Sequence, residues 1–379
     1  MKKYYETKLA VVTGGASGIG LALCEMLLSF GAKAVIMSDV NSDNLTNQSA
    51  RLDSAYPGKM LGIQADVTER EEVAELIRRA AEFGAGRIDF LFNNAGLSLA
   101  KSFDEATYAD WKFAFDVNFY GALHGIKAVL PIMRAQGGGH IANTASGIGF
   151  IPMAYQSMYS ASKSALIGLT GSLRYELWDE NIRFSTIIPG TVDTPMWEGK
   201  APDTAITPEQ SARGILKGVA ANERIVIVTE PDRIGAANAF RPETAKEMDE
   251  YLLNVARKRQ KLQQADMKTV MSCITEQELK RSTQALLLAN IPFETRKLDD
   301  NGIELTELQV SDDIFDNACD VIETFEDTIF DDQDRPREKC PQCGSTDLER
   351  RDDFDCKKSI TGISWIAQCR DCGRLIPHH

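Results

Sequence analysis

The chain has 379 residues, 43% of them hydrophobic, which is enough apolar material for a full core and, at usual domain sizes, for two or three domains. Its net charge of −13 is uneven: residues 1–266 carry 28 Lys and Arg against 31 Asp and Glu, residues 267–334 carry 5 against 17, and residues 335–379 carry 9 against 7. The acidic middle block disfavours nucleic acid, whose phosphates are held by clustered cations.

Residues 1–5 are basic and aromatic and lead directly into a strand-like run, with no signal-peptide h-region and no cleavage site. No apolar stretch reaches the roughly 20 residues that a membrane helix needs. A soluble, cytoplasmic protein without membrane association is expected. The eight cysteines do not form a secreted disulfide pattern, since four of them fall in two paired C-x-x-C units near the C-terminus.

From residue 8 to about residue 228, short β-branched runs alternate with amphipathic stretches: LAVVTG, AVIMSDV, KMLGIQADV, IDFLFNNAG, GHIANTAS, IRFSTIIPG and ERIVIVTE. Strand alternating with helix predicts an α/β fold, a doubly wound parallel sheet with helices on both faces. A helical segment over residues 242–261, ending in the basic run RKRQK, closes this first domain (1–264), and the chain changes character near residues 263–266.

Residues 267–330 read as strand, helix, two strands and helix, which predicts a small α+β domain of ferredoxin-like kind. The stretch DDQDRPRE, residues 331–338, contains Pro336 and has no apolar period, as expected of an exposed acidic linker. A short cysteine unit, residues 339–376, follows.

Behind the first strand stands Thr13-Gly14-Gly15-Ala16-Ser17-Gly18-Ile19-Gly20, then a helical run. Glycines there allow a tight turn and close approach of backbone to a pyrophosphate, whose charge meets the positive end of the helix. Such a turn alone is an ordinary strand-to-helix loop. Its position at the start of the alternating pattern, with Asp39 ending the next strand, points to a dinucleotide. A carboxylate there accepts from both ribose hydroxyls and repels a 2′-phosphate, and no cation stands at Gly15, Ala16, Ser38 or Val40, so NAD(H) is expected over NADP(H).

Tyr159 and Lys163 are four apart at the start of a helix and share one face. A tyrosine with its ordinary pKa near 10 is a poor base, and a neighbouring ammonium is expected to favour its phenolate. Ser146 ends a predicted strand, where its hydroxyl can hold a substrate oxygen.

Together TGGASGIG, Asp39, Asp66-Val67, Asn93-Asn94-Ala95-Gly96, Asn118, Ser146, YSASK and PGTVDT resemble the short-chain dehydrogenase/reductase family over residues 8–228. The resemblance implies a Rossmann sheet and an NAD-dependent enzyme acting on the CH-OH group of a donor. Tyr159 would be the general acid/base, and Lys163 would lower its pKa and hold the nicotinamide ribose. Ser146 would orient the substrate oxygen, and Asn118 would support a proton-relay water. Gly14, Ser17, Gly18, Ile19, Gly20 and Asp39 would line the adenosine half of the cofactor, with Asp66 and Val67 at the adenine and Asn93, Ala95 and Gly96 at the adjoining strand end. Pro189, Gly190, Val192 and Thr194 would border the carboxamide. No catalytic position departs from the family pattern. The resemblance also suggests a homodimer or homotetramer.

The segments Gly149 to Tyr155 and Pro195 to Trp197 flank the reacting position and are largely apolar. They either face an apolar secondary alcohol or ketone or pack against each other or a neighbouring subunit.

Cys340, Cys343, Cys369 and Cys372 form two knuckles with the spacing of a closed tetrahedral zinc site, and the unit resembles a zinc ribbon. Four thiolates leave no open position, so zinc there would be structural. Cys24, Cys273, Cys319 and Cys356 are expected to be spare thiols, and His378 and His379 a frayed end. Residues 267–330 loosely resemble the small α/β domains described as signal-transducing, which are joined in some proteins to a zinc ribbon. They offer no catalytic group and read as a module for a protein partner. An alternative to the enzyme is therefore an NAD(H)-sensing interaction protein whose tail carries the output. Intact Ser146, Tyr159 and Lys163 favour the enzyme.

Overall fold

A computed structural model describes residues 1–197, 199, 201–265, 267–273, 276–289, 291, 293–300, 303–311, 314–329, 348–351, 365–369 and 375–378. Contacts divide the chain into two units, Met1–Ala256 and Arg257–His379.

In the first unit a single helical turn, α1 (Lys2–Tyr5), precedes β1 (Leu9–Thr13), α2 (Gly18–Ser29), β2 (Ala34–Asp39), α3 (Ser42–Ala55), β3 (Met60–Gln64) and α4 (Arg70–Phe83). Then come β4 (Phe90–Asn93), α5 (Tyr108–Phe115), α6 (Gly121–Ala135), β5 (Gly139–Thr144), α7 (Ser157–Glu176), β6 (Ile182–Ile188), α8 (Pro208–Ala220), β7 (Ile225–Ile227), α9 (Glu230–Asn238) and α10 (Ala245–Ala265), whose residues from Arg257 on are counted with the second unit. The seven expected strands all form and pair in parallel in the order β3-β2-β1-β4-β5-β6-β7. Strand order reverses between β1 and β4, which opens a crevice at their C-terminal ends.

Both faces of the sheet are covered, so β1 is buried at every residue. Its side chains alternate between two cores. Ala10 and Val12 join Leu23 and Leu27 of α2 and Ile215 and Leu216 of α8, whereas Leu9 and Val11 join Leu76 of α4 and Val129 of α6. Burying each large apolar side chain contributes about 1.5–3 kcal/mol.

Local signals fix where helices start. Thr107 and Asp110 exchange the reciprocal bonds of a capping box before α5, and Thr207 and Gln210 do so before α8, with Pro208 at its first position. The helix expected over residues 242–261 begins with a 3-10 turn at Pro242–Thr244 and continues as α10 to Ala265. Leu262, Gln263, Gln264 and Ala265 are good helix formers, so nothing local stops the helix at the basic run.

In the second unit β8 (Met267–Cys273), α11 (Glu276–Leu288), β9 (Glu294–Asp300), β10 (Ile303–Ser311) and α12 (Phe315–Ile329) build an antiparallel sheet of order β8-β10-β9. Its core includes Val270, Leu286, Leu308, Val310 and Ile322. Three strands, β11 (Leu348–Arg351), β12 (Trp365–Cys369) and β13 (Leu375–His378), form another antiparallel sheet.

Candidate active site

The glycine-rich loop lies at the crevice. Gly14 and Gly18 hold φ values of +60° and +49°, which favour glycine, and a Cβ on Gly20 would collide with the Gly14 carbonyl. Ser17 is the N-cap of α2 but makes no side-chain capping bond, and Ile19 follows in a first turn that carries no acidic residue. No side chain of that first turn therefore offsets the positive end of α2. Asp39, at the end of β2, accepts from Ala16 N at 3.0 Å through Oδ2 and from Asn41 N at 3.0 Å through Oδ1.

Asp66 and Val67 form the next wall. Asp66 Oδ1 accepts from Thr68 N at 2.9 Å and Thr68 Oγ1 at 2.8 Å, while His124 Nδ1 lies 3.1 Å from Val67 O. The turn Asn93 to Gly96 is stitched to the glycine loop by Asn94, whose Nδ2 donates to Thr13 O and Gly14 O, each at 3.2 Å. Thr13 Oγ1 accepts from Ala95 N at 3.1 Å. Asn93 itself turns away into the sheet, donating to Asn143 Oδ1 at 2.8 Å and Ala122 O at 3.3 Å. The sequence shows the motif but not this division of labour.

Asn118 sits in a π-helical turn, Asp116–Tyr120, between α5 and α6. One extra residue in a helix turns a side chain inward, and such turns recur at functional sites. Its amide clamps Leu97 from both sides, accepting from Leu97 N and donating to Leu97 O, each at 3.0 Å, and donates to Ser162 Oγ at 3.2 Å. Ser162 in turn donates to the Tyr159 carbonyl at 2.9 Å. Gly96 lies over this cluster, for a Cβ there would be 3.0 Å from Asn118 Oδ1 and 3.1 Å from Lys163 Nζ.

Ser146, just past β5, caps the short turn Gly147–Gly149 by accepting from Ile148 N at 3.3 Å. Lys163 is buried, donates to Thr144 O at 2.8 Å, and lies 5.7 Å from the Tyr159 ring centroid. Burial pushes the Tyr159 phenol up, and the neighbouring Ser146 side chain pulls it partly back. Burial also pushes Lys163 down to about 8. Desolvation thus acts on both groups, disfavouring the phenolate of Tyr159 and the ammonium of Lys163.

The far wall is the loop from Pro189 to Thr194. Pro189 O accepts from Ser211 Oγ at 2.9 Å, Gly190 has φ +92°, and Val192 is buried in a bridge to Ile206. Thr194 closes over the glycine loop, since a Cβ on Gly18 would lie 3.0 Å from Thr194 Cγ2. Of the apolar flanks, Met196 and Trp197 are exposed, and Tyr155 holds φ +64°.

A family model for short chain dehydrogenases matches residues 8–205. The chain belongs to the short-chain dehydrogenase/reductase family. Its first unit is an oxidoreductase of that family. An uncharacterized oxidoreductase from Staphylococcus saprophyticus is 39% identical over 191 residues, which are 50% of this chain and 81% of the relative. The D-beta-hydroxybutyrate dehydrogenase of Rhizobium meliloti is 32% identical over 217 residues, covering 57% of this chain and 82% of the relative. Among solved structures, a short-chain dehydrogenase/reductase from Burkholderia phymatum in complex with NAD superposes with a TM-score of 0.57 at 25% identity, over 64% of this chain and 95% of that one.

Among the described residues no group of three or more His, Cys, Asp and Glu side chains is placed to hold a metal. Cys340, Cys343 and Cys372 lie outside the described residues, and Cys369 ends β12. No helix among the described residues is long and apolar enough to cross a membrane.

Proposed function

We propose that the protein transfers a hydride between NAD(H) and a secondary alcohol or ketone, with Tyr159 as general acid/base. The observation that carries this is the grouping of buried Lys163, 5.7 Å from the Tyr159 ring centroid and bonded to Thr144 O at the end of β5, with Ser146 just past that strand and the Asn118 amide bonded to Ser162. A bound nicotinamide dinucleotide supplies or accepts the hydride.

The chain's part is to bind, orient and move a proton. In oxidation the Tyr159 phenolate takes the hydroxyl proton of the substrate, and in reduction the phenol returns it. Ser146 donates to the substrate oxygen and fixes its distance from Tyr159. Lys163, with a pKa near 8 and one N–H spent on Thr144, has two donors left for a ribose and a charge that favours the phenolate.

The residues fit a dinucleotide. Left-handed Gly14 and Gly18 and the side-chain-free Gly20 permit close approach to the positive end of α2, and Asp39 is fastened to Ala16 where a ribose would lie. With no cation at the positions beside Asp39, NAD(H) is preferred to NADP(H). The apolar Met196 and Trp197 favour an apolar substrate.

The proposal extends to a homodimer or homotetramer, for which exposed Tyr108, Phe113 and Tyr120 on α5 and the π turn supply apolar surface. It extends also to a ferredoxin-like protein-binding module at residues 267–330 and a structural zinc on Cys340, Cys343, Cys369 and Cys372, supported by the paired knuckle spacing and the antiparallel strands β11–β13. The test is turnover of a panel of secondary alcohols and ketones, with NAD(H) and NADP(H) offered separately. NADH binding without turnover on any substrate would favour a sensing role.

A further inference from the structure

Two glycines at the mouth of the site leave no room for a side chain, and one short segment fills both spaces. A Cβ on Gly147, the residue after Ser146, would lie 2.5 Å from Asp232 Oδ1. A Cβ on Gly190, beside Pro189, would lie 2.5 Å from Thr229 Cγ2. Thr229 is the N-cap of α9, and its Oγ1 donates to Asp232 Oδ2 at 2.6 Å and accepts from Asp232 N at 3.4 Å.

The cap is thus one hydrogen-bonded unit with two outward contacts. The Thr229 methyl rests on the Gly190 loop, and the second carboxylate oxygen of Asp232 rests on the turn that carries Ser146. It is pinned to the sheet from behind, because Val228 N donates to Ile188 O at 3.0 Å, and α9 continues the contact where Gly235 faces Ile151. Hydrogen-bonded pairs of this kind hold a rotamer that a free side chain does not, and catalytic geometry depends on such support.

We propose that the Thr229–Asp232 cap is a positioning element of the active site: Asp232 seats the Ser146 turn and Thr229 seats the Gly190 loop. This rests on the assignment of Ser146 to the substrate oxygen made above. Asp232 is assigned a positioning role and not a catalytic one. Its effect passes through the backbone of Gly147, where a displacement of about 1 Å costs up to about a hundredfold in turnover.

The experiment is a double-variant cycle in the full-length protein, with kcat, KM, NADH affinity by fluorescence, and thermal melting measured for each variant. Gly147→Ala adds a methyl where Asp232 sits, so kcat is expected to fall by about tenfold to a hundredfold. Asp232→Ala vacates that space, and the double variant is expected to recover part of the loss, so that the two effects do not multiply. Asp232→Asn keeps the shape and is expected to stay within about threefold of the unaltered protein, while Thr229→Ser, which keeps the cap but loses the methyl, weakens NADH binding more than kcat. NADH affinity of Gly147→Ala unchanged alongside its fallen kcat supports positioning. A parallel fall of affinity and melting temperature would show a merely structural role and overturn the proposal. Losses that multiply in an active enzyme would overturn it while leaving the hydride-transfer reading intact. An unaltered protein without turnover on any substrate would overturn both.

Discussion

The ammonium of Lys163 lies 2.8 Å from the carbonyl oxygen of Thr144, and only 3% of the lysine is exposed. Burial lowers its pKa from 10.5 to about 8, which corresponds to a cost of about 3 kcal/mol to folding at neutral pH. The sign follows from linkage: below pH 8 the lysine is charged in both states and the cost is full, and it disappears as pH rises toward 10.5. Lys163→Met is therefore expected to abolish turnover while stabilising the fold by about 2 kcal/mol at pH 7, after allowance for the lost bond to Thr144. Denaturant unfolding of both proteins at pH 7 and pH 10 checks this. The gain should shrink at the higher pH.

His140 is a second buried base with a lowered pKa, in a more acidic window. Its Nδ1 lies 3.1 Å from the Tyr4 hydroxyl and its Nε2 3.0 Å from Ser185 Oγ, and Ser185 donates to Glu223 O at 2.6 Å. Since the serine proton is spent, Nε2 carries the imidazole proton and Nδ1 accepts from Tyr4. Burial, then the nearby Arg174 and Arg183, push its pKa down to about 3. Stability from the neutral ring is present above about pH 6.5 and is lost as pH falls from there toward 3. The slope is about 1.4 kcal/mol per pH unit. Unfolding measured at pH 7 and pH 5 should show the unaltered protein losing about 2 kcal/mol more than His140→Gln. Equal losses would assign the acid sensitivity to other groups.

Asp39 holds the glycine loop through Ala16, and the proposed function assigns it to the cofactor ribose. Asp39→Ala is expected to weaken NADH by about 2–3 kcal/mol and to narrow the preference for NADH over NADPH. Binding titrations with both cofactors test it, and an unchanged ratio would remove Asp39 from cofactor discrimination.

The four-cysteine unit predicts about one zinc per chain. Metal analysis of the full-length protein and of Cys340→Ser should show the metal present in the first and lost in the second. Zinc retained in the variant would contradict the ligand set.

Much of the sheet was legible because each of its strands is an apolar run bounded by turn residues, and YSASK with Ser146 and the glycine loop marked a candidate site. Local patterns could not reveal what depends on contacts far along the chain. The inward turn of Asn118 comes from a π turn that leaves no periodic mark. The left-handed Tyr155 is a bulky residue where glycine would be expected. The fit of Asp232 to Gly147 joins positions 85 residues apart. The pKa directions at Tyr159 and Lys163 depended on burial, which spacing alone does not report.

The central claim is that Tyr159 moves the proton of hydride transfer, and the most direct measurement compares the unaltered enzyme with Tyr159→Phe on a substrate found in the alcohol and ketone panel, following NADH and measuring its binding separately. The account predicts that kcat falls by about a thousandfold or more with NADH affinity nearly unchanged. Turnover that survives the loss of the phenol hydroxyl would contradict it.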